Sequence, residues 1–312
     1  MQTTLSPSTS SKPKGETNRS QRVKIAADTL AATQHGSYSL NDVTYPLAAA
    51  VQTMIDGTVY EAPTSATMAN WKSAPAPSAT AVEKTTIEMR LASTLISLRA
   101  LCAIPDASVG VLNFASAHKP GGGFLSGAQA QEESLARSST IYNSFMSEKG
   151  HLFYKGGEKK VPGYYSHAML WTPGVTFFRN DRGDLVEPCT ASLVTSAAVN
   201  AGAVKSARKQ LSQEQLTEAD ARIRSTMHER MGRVLYLFEQ RGSTHLVLGS
   251  FGTGVFRNDI STVAELWAEL LGPGTRFEKC FTHIDFAIID EKTLNTFKAA
   301  FARRLSELVV TT

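Results

Sequence analysis

Two adjacent glutamates that follow a glycine-rich loop are the residues of this sequence best suited to chemistry. The loop spans residues 118–128 and contains Gly121-Gly122-Gly123, and Gln131-Glu132-Glu133 comes shortly after it. A carboxyl group that projects into a cleft can donate and accept protons as a general acid or base. Because adjacent helix residues do not face each other, Glu132 and Glu133 are not expected to flank one scissile bond as a standard glycosidase pair does. We therefore expect one carboxyl group to transfer protons and the other to position a substrate.

Ordinary helix chemistry is the alternative explanation of the two glutamates. The helix dipole favours an acidic residue in the first turn by ~0.3–1 kcal/mol. Glu133 and Arg137 also have the i,i+4 spacing at which an exposed ion pair contributes a few tenths of a kcal/mol. The catalytic interpretation needs one of the two carboxyl groups to lie in a cleft beside a bound ligand.

A second glycine-rich loop indicates that this ligand contains phosphate. It spans residues 249–256 and reads Gly249-Ser250-Phe251-Gly252-Thr253-Gly254-Val255-Phe256. Neither loop has the sequence of a Walker loop or of a dinucleotide-binding fingerprint. Backbone without side chains can approach a ligand closely, and its N–H groups at a helix N-terminus suit a phosphate. One such loop is more simply explained as a tight turn, but two at the same edge of a sheet predict a diphosphate ligand.

Apolar patterning predicts the elements that position these two loops. Helices are predicted at 22–34, 85–103, 129–146, 214–240, 260–271 and 291–307, and strands at 109–115, 167–171, 175–178, 245–250 and 281–289. Residues 60–82 are predicted as an extended connection, 180–188 as a turn, and 179–213 as a variable insert. Buried strands that alternate with helices favour an α/β fold, a three-layer α/β/α sandwich, whose ligands bind beyond the carboxyl ends of the strands.

Composition limits the class of protein. The chain has 312 residues, of which 42% are hydrophobic and 19% charged, as in a globular protein with a large core. Residues 1–24 account for the whole net charge of +4, so the remainder is neutral and gives no sign of a nucleic-acid-binding face. We predict a disordered, basic, Ser/Thr-rich tail over residues 1–20 and one catalytic domain over 21–312, with an N-terminal helical extension.

Cysteine usage and the N-terminus bear on cofactors and location. Cys102, Cys189 and Cys280 lie far apart without zinc-site spacing, so we expect reduced, mostly buried thiols and no metal or cofactor. No apolar run approaches the ~18–20 residues of a membrane span, and no secretory signal is recognised. A mitochondrial transit peptide is an alternative for the first residues, but their prolines favour a plain tail. We expect an intracellular monomer, nuclear or cytoplasmic.

The first loop and the glutamates resemble the signature of poly(ADP-ribose) glycohydrolases. That signature consists of three glycines, a short spacer and Gln-Glu-Glu, and here seven residues, 124–130, form the spacer. Asn113-Phe114-Ala115-Ser116-Ala117 before the glycines and the stretch 134–139 after the glutamates are similar to the microbial, bacterial-type branch. The second loop, continued by Arg257-Asn258, resembles the diphosphate loop of that branch. A weaker resemblance extends from Arg22 to Ile288.

This resemblance implies a macrodomain fold with a mixed central sheet, and a specific reaction. Members of the family cleave the ribose–ribose O-glycosidic bond of poly(ADP-ribose) and release ADP-ribose. By resemblance, Glu133 is the catalytic acid/base. It protonates the leaving ribose hydroxyl as an oxocarbenium ion forms, and then accepts a proton from the attacking water. Such an acid must carry its proton near neutral pH.

The resemblance also implies which residues bind the substrate. Glu132 and Gln131 are expected to form hydrogen bonds with the reacting riboses, and Phe256 to pack on the distal ribose. Backbone N–H donors to the diphosphate are expected at four residues: Gly252, Thr253, Gly254 and Val255. The three glycines of the first loop would let the backbone approach the sugar. For Asn113 and Ser116, at the end of a predicted strand, a ribose contact and a loop-capping role both stay open.

Two other functions are alternatives to polymer hydrolysis. One is a non-catalytic module that binds ADP-ribose, and the other is a hydrolase that removes mono-ADP-ribosyl groups from proteins. The Gln131-Glu132-Glu133 run favours an enzyme, because a binding module would not need it. The expected partner is poly(ADP-ribose) on modified proteins. The resemblance further suggests that cleavage occurs at chain ends.

Overall fold

The structure is a computed structural model that describes residues 17–75, 82–155, 162–206 and 212–311. Its helices are α1 (Arg19–His35), α2 (Ala48–Gly57), α3 (Ala66–Ala69), α4 (Thr94–Cys102), α5 (Gln131–Ser138), α6 (Ile141–Phe145), α7 (Glu148–Lys155), α8 (Ala201–Ser206), α9 (Gln213–Gln240), α10 (Ile260–Leu271) and α11 (Glu291–Thr311). Its strands are β1 (Ser37–Leu40), β2 (Val43–Pro46), β3 (Val59–Glu61), β4 (Thr86–Leu91), β5 (Val109–Phe114), β6 (Met169–Arg179), β7 (Leu185–Ser196), β8 (His245–Leu248) and β9 (His283–Ile288). Most of the predicted disordered tail lies outside the described residues.

A seven-stranded mixed sheet forms the centre of the fold, in the order β3-β6-β7-β5-β8-β9-β4. Pairing is parallel from β7 through β4 and antiparallel where β6 meets β3 and β7. Strands β1 and β2 form a separate two-stranded sheet. The predicted mixed central sheet is therefore confirmed.

Helices cover both faces of this sheet, as predicted. One hydrophobic cluster packs the sheet against α9, α10 and α11, and includes Trp267 and Phe297. A second cluster packs the opposite face against α2, α4, α5 and α6, and includes Leu98 and Phe145. Val111 and its neighbour Leu112 belong to opposite clusters because successive strand residues point to opposite faces. The architecture is a three-layer α/β/α sandwich.

The parallel pairing of β5 with β8 brings the two glycine-rich loops together. Gly110 and Val111 of β5 lie opposite Leu246 and Val247 of β8. Both loops leave the carboxyl ends of these neighbouring strands, so they emerge at the same edge of the sheet. This is the edge at which open α/β sheets bind ligands.

The predicted helix over 85–103 is wrong. The first part of this segment is strand β4, which pairs in parallel with β9, and the helix is only α4. Ser93 separates the two elements, because its side chain accepts a hydrogen bond of 3.1 Å from Ile96 N and caps the new helix. The segment forms a strand because it pairs with β9, which is distant in sequence and cannot be inferred from helical periodicity.

The predicted helix over 129–146 is interrupted. Ser139 adopts an extended backbone and pairs with Phe177 of β6, and Thr140 N donates to Thr176 O at 3.1 Å. The segment therefore forms α5 and α6 with a short contact to the sheet between them. The two predicted strands at 167–171 and 175–178 are one strand, β6, whose register with β7 shifts between Thr172 and Val175.

The insert predicted over 179–213 is wrong as well. It contains β7, which lies between β6 and β5 in the interior of the sheet. The turn predicted at 180–188 is too long, because β7 already begins at Leu185. Residues 60–82 include the end of β3 and the short helix α3, and residues 76–81 lie outside the described ranges. The other predicted helices and strands are confirmed, with small changes at their ends.

Within the described ranges, no helix combines the length and apolar character needed to cross a bilayer.

Candidate active site

The first loop connects β5 to α5 and turns sharply at its glycines. Gly121 and Gly122 have φ angles of +66° and +59°, which only glycine adopts readily. Ser116 Oγ accepts a hydrogen bond of 3.1 Å from Lys119 N, and Gly122 N donates to Lys119 O at 2.8 Å. Ser116 therefore caps the loop, and its predicted contact with a ribose stays a prediction.

Gly122 lies against both glutamates. A Cβ atom at this position would come within 2.4 Å of Glu133 Oε1 and 3.3 Å of Glu132 Oε2. The first distance is shorter than any normal contact, so a side chain here would displace the Glu133 carboxyl group. The loop backbone thus brings together two carboxyl groups that neighbouring positions of α5 would otherwise separate.

Glu132 is the more deeply buried of the two glutamates, with 2% of its surface exposed. Its Oε2 accepts a hydrogen bond of 2.7 Å from Ser116 N. Its Oε1 accepts from Tyr154 Oη at 2.7 Å and from Asn113 Nδ2 at 3.3 Å. Three donors from a loop, a helix and a strand therefore hold this carboxyl group in place.

Burial dominates the ionisation of Glu132. Desolvation raises its pKa to about 8, although the hydrogen bonds from Ser116, Tyr154 and Asn113 act in the opposite direction. Burial and the adjacent Glu132 also raise the pKa of Tyr154 well above 10, so the phenol keeps the proton that it donates. Near neutral pH, Glu132 is thus largely uncharged and brings little negative charge to the site.

Glu133 is more accessible than Glu132, with 9% of its surface exposed. Its Oε1 accepts a hydrogen bond of 2.9 Å from Gly123 N in the loop. Its Oε2 accepts one of 3.2 Å from Ala130 N, in the manner of a glutamate that caps its own helix. This capping bond fixes the carboxyl group beside the glycines, and it was not predicted from the sequence. The predicted ion pair with Arg137 is not among the salt bridges of the described residues.

Gln131 attaches helix α5 to the end of β5. Its Oε1 accepts a hydrogen bond of 2.8 Å from Phe114 N, and its Nε2 donates to Leu112 O at 2.8 Å. Both polar ends of the side chain are thereby used within the protein. The predicted contact of Gln131 with a ribose stays a prediction, whereas its positioning of α5 is visible.

Asn113 is fully buried beneath Glu132. Its Nδ2 donates to Glu132 Oε1 and to Thr195 Oγ1, both at 3.3 Å. Its Oδ1 is one of the buried oxygens without a hydrogen-bond partner among the described residues. Asn113 supports the carboxyl group and does not cap the loop, and its ribose contact stays untested.

Three arginines hold the far side of the first loop. Arg19 Nε donates to Ser126 O at 2.9 Å, and Arg22 Nε donates to Gly127 O at 2.8 Å. Arg137 Nη1 donates to Ala128 O at 2.6 Å. Burial lowers the pKa of Arg137 to about 10, so it still carries its charge near neutral pH. Three successive carbonyl groups of the loop are thus held by guanidinium groups, two of them from α1.

The second loop is fixed at both of its ends. Trp267 Nε1 donates to Gly249 O at 3.2 Å, which holds the start of the loop against α10. Asn258 Nδ2 donates to Gly252 O at 2.9 Å and to Val199 O at 2.7 Å. Gly252 has a φ of +77°, and a Cβ there would come within 2.4 Å of Ala198 Cβ. The loop therefore packs tightly on the segment that follows β7.

Most of the expected phosphate donors of this loop are available. Among the described residues, no hydrogen bond engages the backbone N–H of Gly252, Gly254 or Val255. Thr253 differs, because its N–H donates to Ser250 O at 3.2 Å within the loop. Val255 is 80% exposed, and a Cβ at Gly254 would meet no atom within 4 Å. The tip of the loop is therefore open to a ligand, although Thr253 is less suited to the predicted role than its neighbours.

An aromatic contact links the two loops. The ring of Tyr165 lies 5.4 Å from the ring of His118 in the first loop and 5.7 Å from the ring of Phe256 in the second. Tyr165 has a φ of +49°, which is unusual for a residue with a side chain. The fully buried Arg230 anchors the preceding residue, because its Nη2 donates to Tyr164 O at 2.8 Å. Phe256, predicted to pack on a ribose, is thus already in contact with Tyr165.

Sequence reasoning missed several of these residues. Tyr154 and Tyr165 lie far from both loops along the chain and have no local pattern that distinguishes them from core tyrosines. Arg22 has no motif that marks it as a residue that holds the first loop. His118 in the first loop is exposed, and Phe297 and Phe301 of α11 pack in the core. In the described ranges, no group of three or more His, Cys, Asp or Glu side chains could hold a metal ion.

We expect Glu132→Gln to change how stability depends on pH. The folded chain holds a proton on Glu132 up to a pKa of about 8, whereas the ordinary value is 4.5. The contribution of Glu132 to the free energy of unfolding is therefore fully present below pH 4.5 and falls as the pH rises towards about 8. Glutamine does not titrate, so the stability of the variant relative to the wild type should rise between about pH 5 and about pH 9.

Urea unfolding of both proteins across this pH range measures the effect. The exposed Glu148→Gln is the matched control, and its stability should run parallel to that of the wild type. A Glu132→Gln variant whose stability also stays parallel would show that Glu132 titrates normally.

Comparisons with known proteins agree with this geometry. The family model described as "Microbial-type PARG, catalytic domain" matches residues 26–180, which include the first loop and both glutamates. Poly(ADP-ribose) glycohydrolase (PARG) from Thermomonospora curvata has a similar structure, with a TM-score of 0.80 and 36% identity over 92% of this chain and 100% of that chain. Its complex with the inhibitor ADP-HPD is also similar, with a TM-score of 0.78 and 36% identity over the same shares of the two chains.

A second organism provides a further match. Poly(ADP-ribose) glycohydrolase from Deinococcus radiodurans in complex with ADP-ribose has a TM-score of 0.69 and 34% identity over 83% of this chain and 98% of that chain. Among curated proteins, none matches the chain significantly. Similarity at this identity and coverage establishes the family. The chain belongs to the microbial-type poly(ADP-ribose) glycohydrolases.

Proposed function

We propose that this protein hydrolyses the ribose–ribose O-glycosidic bonds of poly(ADP-ribose) and releases ADP-ribose. The observation that supports this most directly is the convergence of Glu132 and Glu133 on Gly122, beside a second loop suited to a diphosphate. The similar structures include one in complex with ADP-ribose and one bound to the inhibitor ADP-HPD. The natural substrate is then poly(ADP-ribose) attached to modified proteins.

The diphosphate binds over the second loop in this proposal. Among the described residues, no hydrogen bond engages the N–H groups of Gly252, Gly254 and Val255, so these groups can donate to the phosphate oxygens. Backbone donors hold anions well without a charged side chain. Phe256 packs on the distal ribose and is oriented by its ring contact with Tyr165. The sugar is thereby placed between the second loop and the first.

Glu133 acts as the general acid and then as the general base. As the glycosidic bond breaks, its carboxyl group gives a proton to the leaving ribose oxygen, and positive charge develops at the anomeric carbon. The resulting carboxylate then accepts a proton from the attacking water, which restores the acid. The bonds from Gly123 N and Ala130 N hold the carboxyl group in place through both steps.

Glu132 positions the reacting groups and does not transfer protons. Burial raises the pKa of its carboxyl group to about 8, so near pH 7 it repels the substrate diphosphate only weakly. It can accept or donate a hydrogen bond to a ribose hydroxyl while Tyr154 and Ser116 hold it. This division of roles follows from the difference in burial between two neighbouring residues.

We expect Glu133→Gln to remove turnover without removing binding. Loss of the proton-transfer group should lower kcat by roughly 10²–10⁴-fold, because an amide cannot donate and accept a proton as a carboxyl group does. Release of ADP-ribose from labelled poly(ADP-ribose), followed by chromatography, measures turnover. Calorimetric titration with ADP-ribose measures binding, which should change little.

The control for this variant is Glu148→Gln, an exposed glutamate of α7. Its turnover should equal that of the wild type. Unchanged turnover in Glu133→Gln would contradict the assignment of the acid. Binding of polymer without any release by the wild type would instead indicate a binding module.

The same assay separates the remaining alternatives. ADP-ribose should be released much more slowly from peptides with serine- or glutamate-linked mono-ADP-ribose than from polymer. Faster release from the peptides would indicate a mono-ADP-ribosyl hydrolase. Product size tests our proposal that cleavage occurs at chain ends. Monomeric ADP-ribose should accumulate from the start, whereas early release of long oligomers would indicate internal cleavage.

We expect Arg22→Ala to lower kcat by about 10-fold or more, because a shift of the loop by as little as ~1 Å misplaces the acid. Arg22 holds Gly127 O from helix α1 and does not lie next to the glutamates in the sequence. Arg22→Lys, which can still donate to one carbonyl, should recover part of the rate. Steady-state kinetics with labelled polymer measures both variants.

The matched control for Arg22 lies on the same helix. The Lys24 side chain is 76% exposed and pairs with Asp28 at the surface, so Lys24→Ala should leave kcat unchanged. Equal rates for the Arg22→Ala and Lys24→Ala variants would show that α1 does not position the loop.

A further inference from the structure

We propose that Cys102 and Cys189 are an oxidisable pair of thiols. A low-molecular-weight disulfide, such as glutathione disulfide, converts them into an internal disulfide that ties helix α4 to strand β7. The sequence predicted scattered reduced thiols, and the structure brings two of the three together. This proposal does not depend on the reaction proposed above.

The two cysteines meet where α4 crosses the sheet. Cys102 is the last residue of α4, and Cys189 lies in β7 opposite Phe177. Both side chains pack against the same hydrophobic cluster, on one face of the sheet. Cys102 Sγ donates to Thr190 O at 3.4 Å, and Thr190 directly follows Cys189 in β7. Cys102 Sγ therefore lies beside the backbone next to Cys189, on the face of the sheet to which the Cys189 side chain points, which is the arrangement that a disulfide requires.

Arg99 holds the two elements in this arrangement. From α4 its Nη2 donates to Phe177 O at 3.1 Å and its Nη1 donates to Glu187 O at 3.0 Å. The helix is therefore attached to β6 and β7 one turn before Cys102. A disulfide would add a covalent bond where the helix and the strand are already held together.

The pair differs from Cys280 in exposure. Cys102 and Cys189 are both partly exposed, so a small oxidant in solution can reach them. Cys280 is 5% exposed, and its Sγ donates to Glu239 Oε1 at 2.9 Å. The protein thus contains its own unreactive reference thiol.

Electrostatics makes Cys189 the reactive member of the pair. The neighbouring Cys102 and the nearby Arg99 lower the pKa of Cys189 despite burial. The pKa of Cys102 is raised by its neighbour Cys189 and by burial, and burial raises that of Cys280 to about 12. Cys189 is therefore the thiol that ionises more readily, and the thiolate is the attacking species.

The oxidation takes place in two exchanges. The Cys189 thiolate attacks glutathione disulfide, forms a mixed disulfide and releases one glutathione thiolate. Cys102 then loses its proton and attacks Cys189 Sγ, which releases a second glutathione thiolate. Overall, the two cysteine thiols are oxidised to one disulfide, and one glutathione disulfide is reduced to two molecules of glutathione.

The test uses the full-length folded protein incubated with glutathione disulfide, then alkylated with N-ethylmaleimide and digested for mass spectrometry. We expect a peptide pair linked through Cys102 and Cys189, with Cys280 recovered as a free thiol that is alkylated only after unfolding. Dithiothreitol should restore both thiols. A wild-type protein that stays glutathionylated without forming the linked pair, or that reacts equally at Cys280, would overturn the proposal.

Single serine variants separate the two steps. Cys102→Ser should stop at the mixed disulfide and gain one glutathionyl group at Cys189. Cys189→Ser should react at least about 10-fold more slowly, because the thiol of low pKa is gone. Cys280→Ser should behave like the wild type. Equal rates for the Cys102→Ser and Cys189→Ser variants would contradict the assignment of Cys189 as the attacking thiol.

Discussion

The close approach of a bare backbone to two carboxyl groups is the constraint on which the site depends. Glu132 and Glu133 are neighbours on a helix and would normally point in different directions. At Gly122 the absence of a side chain lets the loop contact both of them at once. Burial then divides their chemistry, because it makes Glu132 a neutral, fixed partner and leaves Glu133 the more accessible. The turn at Gly122 thus decides where the two carboxyl groups lie relative to each other.

The rest of the fold keeps this contact in place from several directions. Gln131 attaches α5 to β5, and Tyr154 reaches Glu132 from α7. Helix α1 holds the far side of the first loop through Arg19 and Arg22. Parallel pairing of β5 with β8 places the second loop beside the first, and Tyr165 joins the two by ring contacts. The catalytic geometry therefore depends on elements that are widely separated along the chain.

The parts of the site that lie in short continuous stretches of the sequence could be predicted from it. The glycines, the Gln-Glu-Glu run and the second loop are continuous in sequence, and their backbone requirements are visible in the residue types. Strand β4 was predicted as helix because its pairing with β9 is decided by distant residues. Strand β7 was taken for a variable insert, although it lies inside the sheet. Tyr154 and Tyr165 acquire their roles only through tertiary contacts, which no spacing rule could predict.

A crystal structure of the Glu133→Gln variant with ADP-ribose tests the central claim most directly. The account predicts that the pyrophosphate lies on the N–H groups of Gly252, Gly254 and Val255. It also predicts that the anomeric carbon of the distal ribose lies beside the side chain at position 133, with the ribose packed against Phe256. A nucleotide bound with its pyrophosphate away from the second loop, or with its distal ribose remote from Gly122, would contradict it.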